Sequence, residues 1–222
     1  MVQGATTVAP SPRTPIETVR QPDSSKGHSV WSTSIRFTIL VTILFGVAYP
    51  LAVTGVAKLL FPRQADGSLI LKDGKVIGSE LLAQSFTSDR YFHPRPSATA
   101  YSDAADFKSD STTSPSGGSN LAQSNKALLT RIQGDIDKLR KLNPGKPVPI
   151  DLVTQSGSGL DPDITPDAAY YQAPLVAKAR GLAEGRVREL IAQHIAPRQL
   201  GMLGEPRVNV LELNLALDAM QK

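Results

Sequence analysis

An α+β domain behind a single membrane-spanning helix is the fold class this sequence predicts, and three observations carry it. Residues 37–57, FTILVTILFGVAYPLAVTGVA, form a run of 21 with no charged side chain. An Asp-Gly pair at 73–74 sits between two short apolar runs, a strong hairpin signal. Beyond it, strand-like and helix-like patterns follow one another without strict alternation, which points to α+β rather than α/β.

The apolar run comes first. At about 1.5 Å per residue it reaches about 31 Å as a helix, the thickness of a bilayer's hydrocarbon core. Arg36 and Lys58 close its ends, where long cationic side chains reach the headgroups. Gly46, Tyr49, Pro50 and Gly55 lie inside it and are candidates for contact with a neighbouring helix, since small residues allow close approach. A signal peptide would have a shorter apolar region and a small-residue cleavage site, and KLLFPRQ after the run offers none. The expected division is a disordered tail over 1–33, a transmembrane helix over 34–60 and one domain over 61–222. The tail is rich in Pro, Ser, Thr and Gln and has no apolar period.

Composition narrows the function classes. The chain has 222 residues and no cysteine, so it holds no disulfide framework and no thiolate metal site. The net charge of +4 divides evenly: four cations against two acids before the apolar run, 20 against 18 after it. No basic block marks nucleic-acid binding. Lys58, Arg63, Lys72 and Lys75 follow the run closely, a count that by itself mildly favours an internal location for the domain.

Within the domain, strands are expected at 68–71 and 75–77, with a short helix or turn over 79–84. Pro94 and Pro96 exclude a regular element from FTSDRYFHPRPSATA (86–100), whose aromatic residues mark it as an ordered loop. Residues 103–120 are expected to be loop. Asn120 or Ser124 is a candidate cap for a helix carrying Leu128, Leu129, Ile132, Ile136, Leu139 and Leu142, which Asn143-Pro144-Gly145 stops. A strand is expected at 148–154 and a long loop over 155–169. Thr165 and Pro166 start a helix that Pro174 limits or splits. Helices at 176–182 and 187–195, a strand at 207–211 and a helix at 213–220 complete the chain.

The loop Ser156-Gly157-Ser158-Gly159 lies between a strand and a helix start, where backbone N–H groups can cradle a phosphate. No Lys follows as in a P-loop, and Gln155 stands where a nucleophile elbow needs glycine. The pattern fits a tight structural loop better. Asp161, Asp163 and Thr165 alternate like a calcium loop, but Pro166 replaces its glycine and Gln172 its final glutamate. His28, His93 and His194 are too scattered for a zinc site. Many Ser and Asp residues without a nucleophile motif give only a weak case for an anchored hydrolase.

Seven blocks carry a resemblance. GVAYPL (46–51), GSELLAQSF (78–86), YFHPRPSATA (91–100), SGGSNLAQSN (116–125), VPIDLVTQSGSGLDPDITPDAA (148–169), VAKARGL (176–182) and GEPRVNVLELNLALD (204–218) resemble, in order, the KdpC family. That family is the small C subunit of the bacterial potassium-importing P-type ATPase. The likeness runs from about residue 34 to the end and leaves the tail outside it. It implies a non-catalytic accessory subunit without a phosphorylated aspartate, acting as a catalytic chaperone that raises the ATP affinity of the hydrolysing subunit. Its implied partners are a potassium-binding channel-like subunit, the hydrolysing subunit and a small single-span subunit. No cofactor is expected to bind tightly, and ATP is expected only in a transient ternary complex. The positions matching the proposed nucleotide-contacting region are Ser156, Gly157, Ser158, Gly159 and Gln172. The resemblance also implies the bacterial inner membrane, a cytoplasmic tail and a domain on the outer face, where direct contact with cytoplasmic ATP is impossible. A membrane-anchored modulator that contacts ATP directly is the alternative. With the domain outside, the span is expected to pack beside the channel-like subunit using Gly46 and Gly55, with Tyr49 and Pro50 among the candidate interface residues. Tyr91, Phe92, His93 and Arg95 form a candidate interface loop, although packing onto their own domain explains them equally well.

Overall fold

One helix runs from Val30 to Leu60 in the computed structural model, which describes residues 29–99 and 116–220. It comprises α1 (Val30–Val41), a π-helical segment (Thr42–Ala48) and α2 (Tyr49–Leu60). Val30, Trp31, Ser32 and Thr33, expected in the tail, are its first turn. Residues 1–28 of the expected tail, and residues 103–115 of the expected loop, lie outside the described residues. At 31 residues the helix is about 46 Å long, enough to cross the hydrocarbon core and both headgroup layers. None of its residues is buried. The π turns lie just before Pro50, whose missing N–H and bulky ring do not fit regular hydrogen bonding to the carbonyl four residues back.

The chain divides into two units with the boundary between Gly55 and Val56. In the second, a short helix α3 (Pro62–Ala65) leads to the hairpin β1 (Leu69–Lys72) and β2 (Lys75–Ser79). Asp73 and Gly74 both have positive φ (53° and 75°), the two-residue turn that matches strand twist. The segment after β2 is a turn, as one of the two expectations had it.

Helix α4 (Lys126–Leu142) is capped by Asn125, not by Asn120 or Ser124. The Asn125 carboxamide oxygen accepts from Ala127 N at 2.9 Å. The strand expected at 148–154 is instead a single 3-10 turn, Ile150–Leu152. Pro147 and Pro149 cannot donate to a ladder, so the apolar run curls. Asp151 then turns inward and accepts from Thr165 N at 2.7 Å. A two-residue strand β3 (Asp163–Ile164) lies inside the expected 155–169 loop.

Helix α5 (Pro166–Arg180) starts as expected: Thr165 Oγ1 accepts from Ala168 N and Pro166 occupies the first turn. It does not end or split at Pro174, which lies inside it. An interior proline costs about 3 kcal/mol. Burial of Ala168, Ala169, Tyr171, Ala173, Val176 and Ala177 along this helix offsets that cost. The separate helix expected at 176–182 is therefore the end of α5, closed by Gly181 at φ 67°. Helix α6 (Glu184–Gln193) is followed by β4 (Ile195–Ala196), so Ile195 is strand rather than helix. β5 (Arg207–Asn209) runs straight into α7 (Val210–Ala219), three residues earlier than the expected helix start. The Asn209 side chain caps α7 by accepting from Glu212 N.

β3, β5 and β4 form a small antiparallel sheet in that order. Its central Val208 joins Phe92, Val187, Ile191, Leu213 and Leu217 in one core, all fully buried. At the sheet edge, burial lifts the Asp163 carboxyl above its ordinary range, while Arg207, 3.0 Å away, pulls it down. Mixed helices and small sheets after one apolar helix make the predicted α+β class correct.

Candidate functional site

Residues 91–99 form a strap outside any helix or strand, which two side-chain amides hold in place. Pro94 and Pro96 deny it a place in a sheet, so its backbone groups need other partners. Asn214 on α7 accepts from Phe92 N at 2.8 Å and donates to Phe92 O at 2.9 Å. Gln172 on α5 accepts from His93 N at 2.8 Å and donates to His93 O at 3.1 Å. Each amide thus does for one residue what a neighbouring strand would do.

The flanking side chains are also engaged. Phe92 is completely buried in its own domain, so of the four candidate interface residues here its side chain offers no surface. The Tyr91 hydroxyl donates to Asp218, and the Arg180 guanidinium stacks 4.7 Å from the Tyr91 ring centroid. Arg180, itself buried, pairs with Asp218 at 2.8 Å. His93 meets Ser88 O through Nε2 at 3.2 Å. Arg95 pairs with Asp161 at 2.8 Å. A cleft of about 330 Å3 runs beside the strap, with His93, Pro96, Leu139 and Gln172 among its walls.

The far end of the strap meets the Ser-Gly loop. Ser156 N donates to Pro96 O at 3.3 Å, Gln155 Nε2 to Ser97 O at 3.2 Å, and Ser97 Oγ to Gly159 O at 2.8 Å. Inside the loop, Ser156 Oγ is buried and accepts from Gly159 N at 2.7 Å. On its other side, Gly117 N and Ser116 Oγ both donate to Ser158 O, at 2.8 and 3.0 Å. Ser156, Gly157, Ser158 and Gly159 are therefore the joint of three chain segments. Gln172 meets the same strap at His93, not at this joint.

The four helix residues singled out by sequence, Gly46, Tyr49, Pro50 and Gly55, are all exposed. A Cβ at Gly55 would have no neighbour within 4 Å, and one at Gly46 only Thr42 Cγ2 at 3.7 Å. Among the described residues no group of three or more His, Cys, Asp or Glu side chains could hold a metal ion. Sequence reasoning missed Asn214 and the Arg180–Asp218 pair. The signal for Asn214 was present: 210, 213, 214 and 217 share one helix face, and a polar residue on an apolar face needs buried partners.

Residues 31–219 match the family model described as KdpC: K+-transporting ATPase, c chain. The chain belongs to the KdpC family. Curated relatives named Potassium-transporting ATPase KdpC subunit agree. That of Rhodopseudomonas palustris (strain BisB18) is 56% identical over 193 residues, covering 84% of this chain and 96% of its own. The Methylobacterium nodulans protein is 56% identical over 189 residues, covering 82% and 92%. The Bradyrhizobium diazoefficiens protein is 55% identical over 190 residues, covering 83% and 94%. As a KdpC chain it is an accessory subunit of the potassium-transporting ATPase rather than its catalytic one. The Val30–Leu60 helix is long and apolar enough to anchor such a subunit in a membrane.

Proposed function

We propose that this chain helps assemble the potassium-import complex and raises the ATP affinity of its hydrolysing subunit as a catalytic chaperone. The observation that carries the proposal is the KdpC match over residues 31–219 on a chain with one candidate membrane span. Its partners are a potassium-binding channel-like subunit, the hydrolysing subunit and a small single-span subunit. It resides in the bacterial inner membrane with the domain outside. Deleting the chain is expected to abolish growth at micromolar potassium while sparing growth in potassium-rich medium. Normal growth of the deletion strain at low potassium would overturn the reading.

In this proposal the effect on ATP is indirect. Two side-chain placements support that: the Gln172 amide is occupied by the His93 backbone, and the Ser156 hydroxyl by Gly159 N. Protease access in spheroplasts tests the orientation, since cleavage only after lysis would place the domain with cytoplasmic ATP. Photolabelling the purified chain with an ATP analogue tests direct contact at 156–159 and 172. Ser158→Ala is the cleaner variant for that test, because Ser158 is exposed while Gln172→Ala would also release His93.

The span packs against the channel-like subunit through its glycines. Gly55→Leu is expected to leave the isolated chain's melting unchanged, because a Cβ there has no neighbour within 4 Å. It should also cut recovery of the assembled complex, because close helix approach needs the missing side chain. Full recovery would remove Gly55 from the proposal.

A further inference from the structure

Between β4 and β5 the chain makes a projecting turn, residues 197–206, whose tip is apolar. Leu200, Met202 and Leu203 are 88%, 72% and 55% exposed. Single exposed apolar residues need no explanation, but three in four positions on a protruding tip do.

The tip is built to hold that display. Gln199 and Leu203 exchange two backbone hydrogen bonds, both 2.9 Å. Met202 N and Gly201 N donate back to Gln199 O and Arg198 O. Pro197 and Pro206 stiffen the two limbs. Leu200 sits at φ 53°, a left-handed conformation that glycine adopts freely and leucine does not. Glycines occupy positions 201 and 204 of the same turn. A strained leucine at 200 keeps a side chain that the backbone alone would disfavour, and such strain points to function.

Charge selects the occupant. The turn's ionic groups cancel: Arg198 pairs with Glu205 at 2.6 Å across its base. It has no Trp, Tyr or Phe and no uncompensated cation, the groups that favour a bilayer interface. An exposed apolar patch with methionine on a neutral tip suits instead an uncharged apolar recess in a protein. We propose that the 197–206 turn is a docking plug, with Leu200, Met202 and Leu203 entering such a recess on another subunit of the same ATPase. This rests on the subunit reading above.

The chain has no cysteine, so Met202→Cys creates a single reporter at an exposed position. Its reaction with a water-soluble maleimide is measured in nanodiscs of mixed zwitterionic and anionic lipid. The chain is labelled alone and co-assembled with the other subunits. The expected result is rapid labelling alone and labelling about tenfold or more slower in the complex, as burial requires local opening. Slow labelling of the chain alone would assign the tip to the bilayer and overturn the plug. Equal, rapid labelling in an intact complex would overturn the plug but leave the subunit reading standing. Failure of the wild-type chain to enter any complex would overturn both.

Discussion

Replacing Asn214 with leucine is expected to lower the melting temperature of the detergent-solubilised chain by roughly 6–12 °C, about 3 kcal/mol at a few degrees each. Leucine is close in size, so the packing change is small. What is lost is the pairing of Phe92 N and Phe92 O, which the Asn214 amide meets at 2.8 and 2.9 Å. Phe92 is wholly buried, so water does not take over those bonds without opening the core. Each orphaned buried group costs about 1–3 kcal/mol. Thermal unfolding followed by circular dichroism measures the change. An unaltered midpoint would mean that the strap does not depend on this clasp.

Gly159→Ala is expected to be nearly as damaging, at about 2–4 kcal/mol from left-handed strain and overpacking together. Gly159 has φ 70°, and a Cβ there would lie 2.6 Å from Thr99 Oγ1 and 2.7 Å from the Gly117 carbonyl oxygen. The threonine end can rotate. The carbonyl belongs to the backbone that donates Gly117 N to Ser158 O, so the joint itself must shift. Ser158→Ala in the same loop removes only an exposed hydroxyl that accepts from Leu160 N, and should cost no more than about 1 kcal/mol. A large loss for serine and none for glycine would reverse the assignment of this loop as a shape-dependent junction.

Parts of this molecule were legible in the sequence because their causes are local. The uncharged run, the Asp73-Gly74 turn and the Thr165-Pro166 start each need only a few adjacent residues, and all three stand. Asn143 ends α4 as expected. The failures were places where distant packing or proline chemistry overrode a short pattern. The apolar residues 148–154 read as a strand until Pro147 and Pro149 are counted as missing donors. Pro174 read as a break because the burial along α5 is invisible in one segment. The strap was legible only as an ordered loop. Its partners, Gln172 and Asn214, lie 79 and 122 residues further along, and no spacing rule connects them.

That separation of 122 residues sets a timetable for the newborn polypeptide. Phe92 leaves the ribosome long before Asn214 is made, and the residue that completes its hydrogen bonding lies within the final helix. Until α7 emerges, the core around Phe92 lacks Leu213 and Leu217 as well as the Asn214 amide.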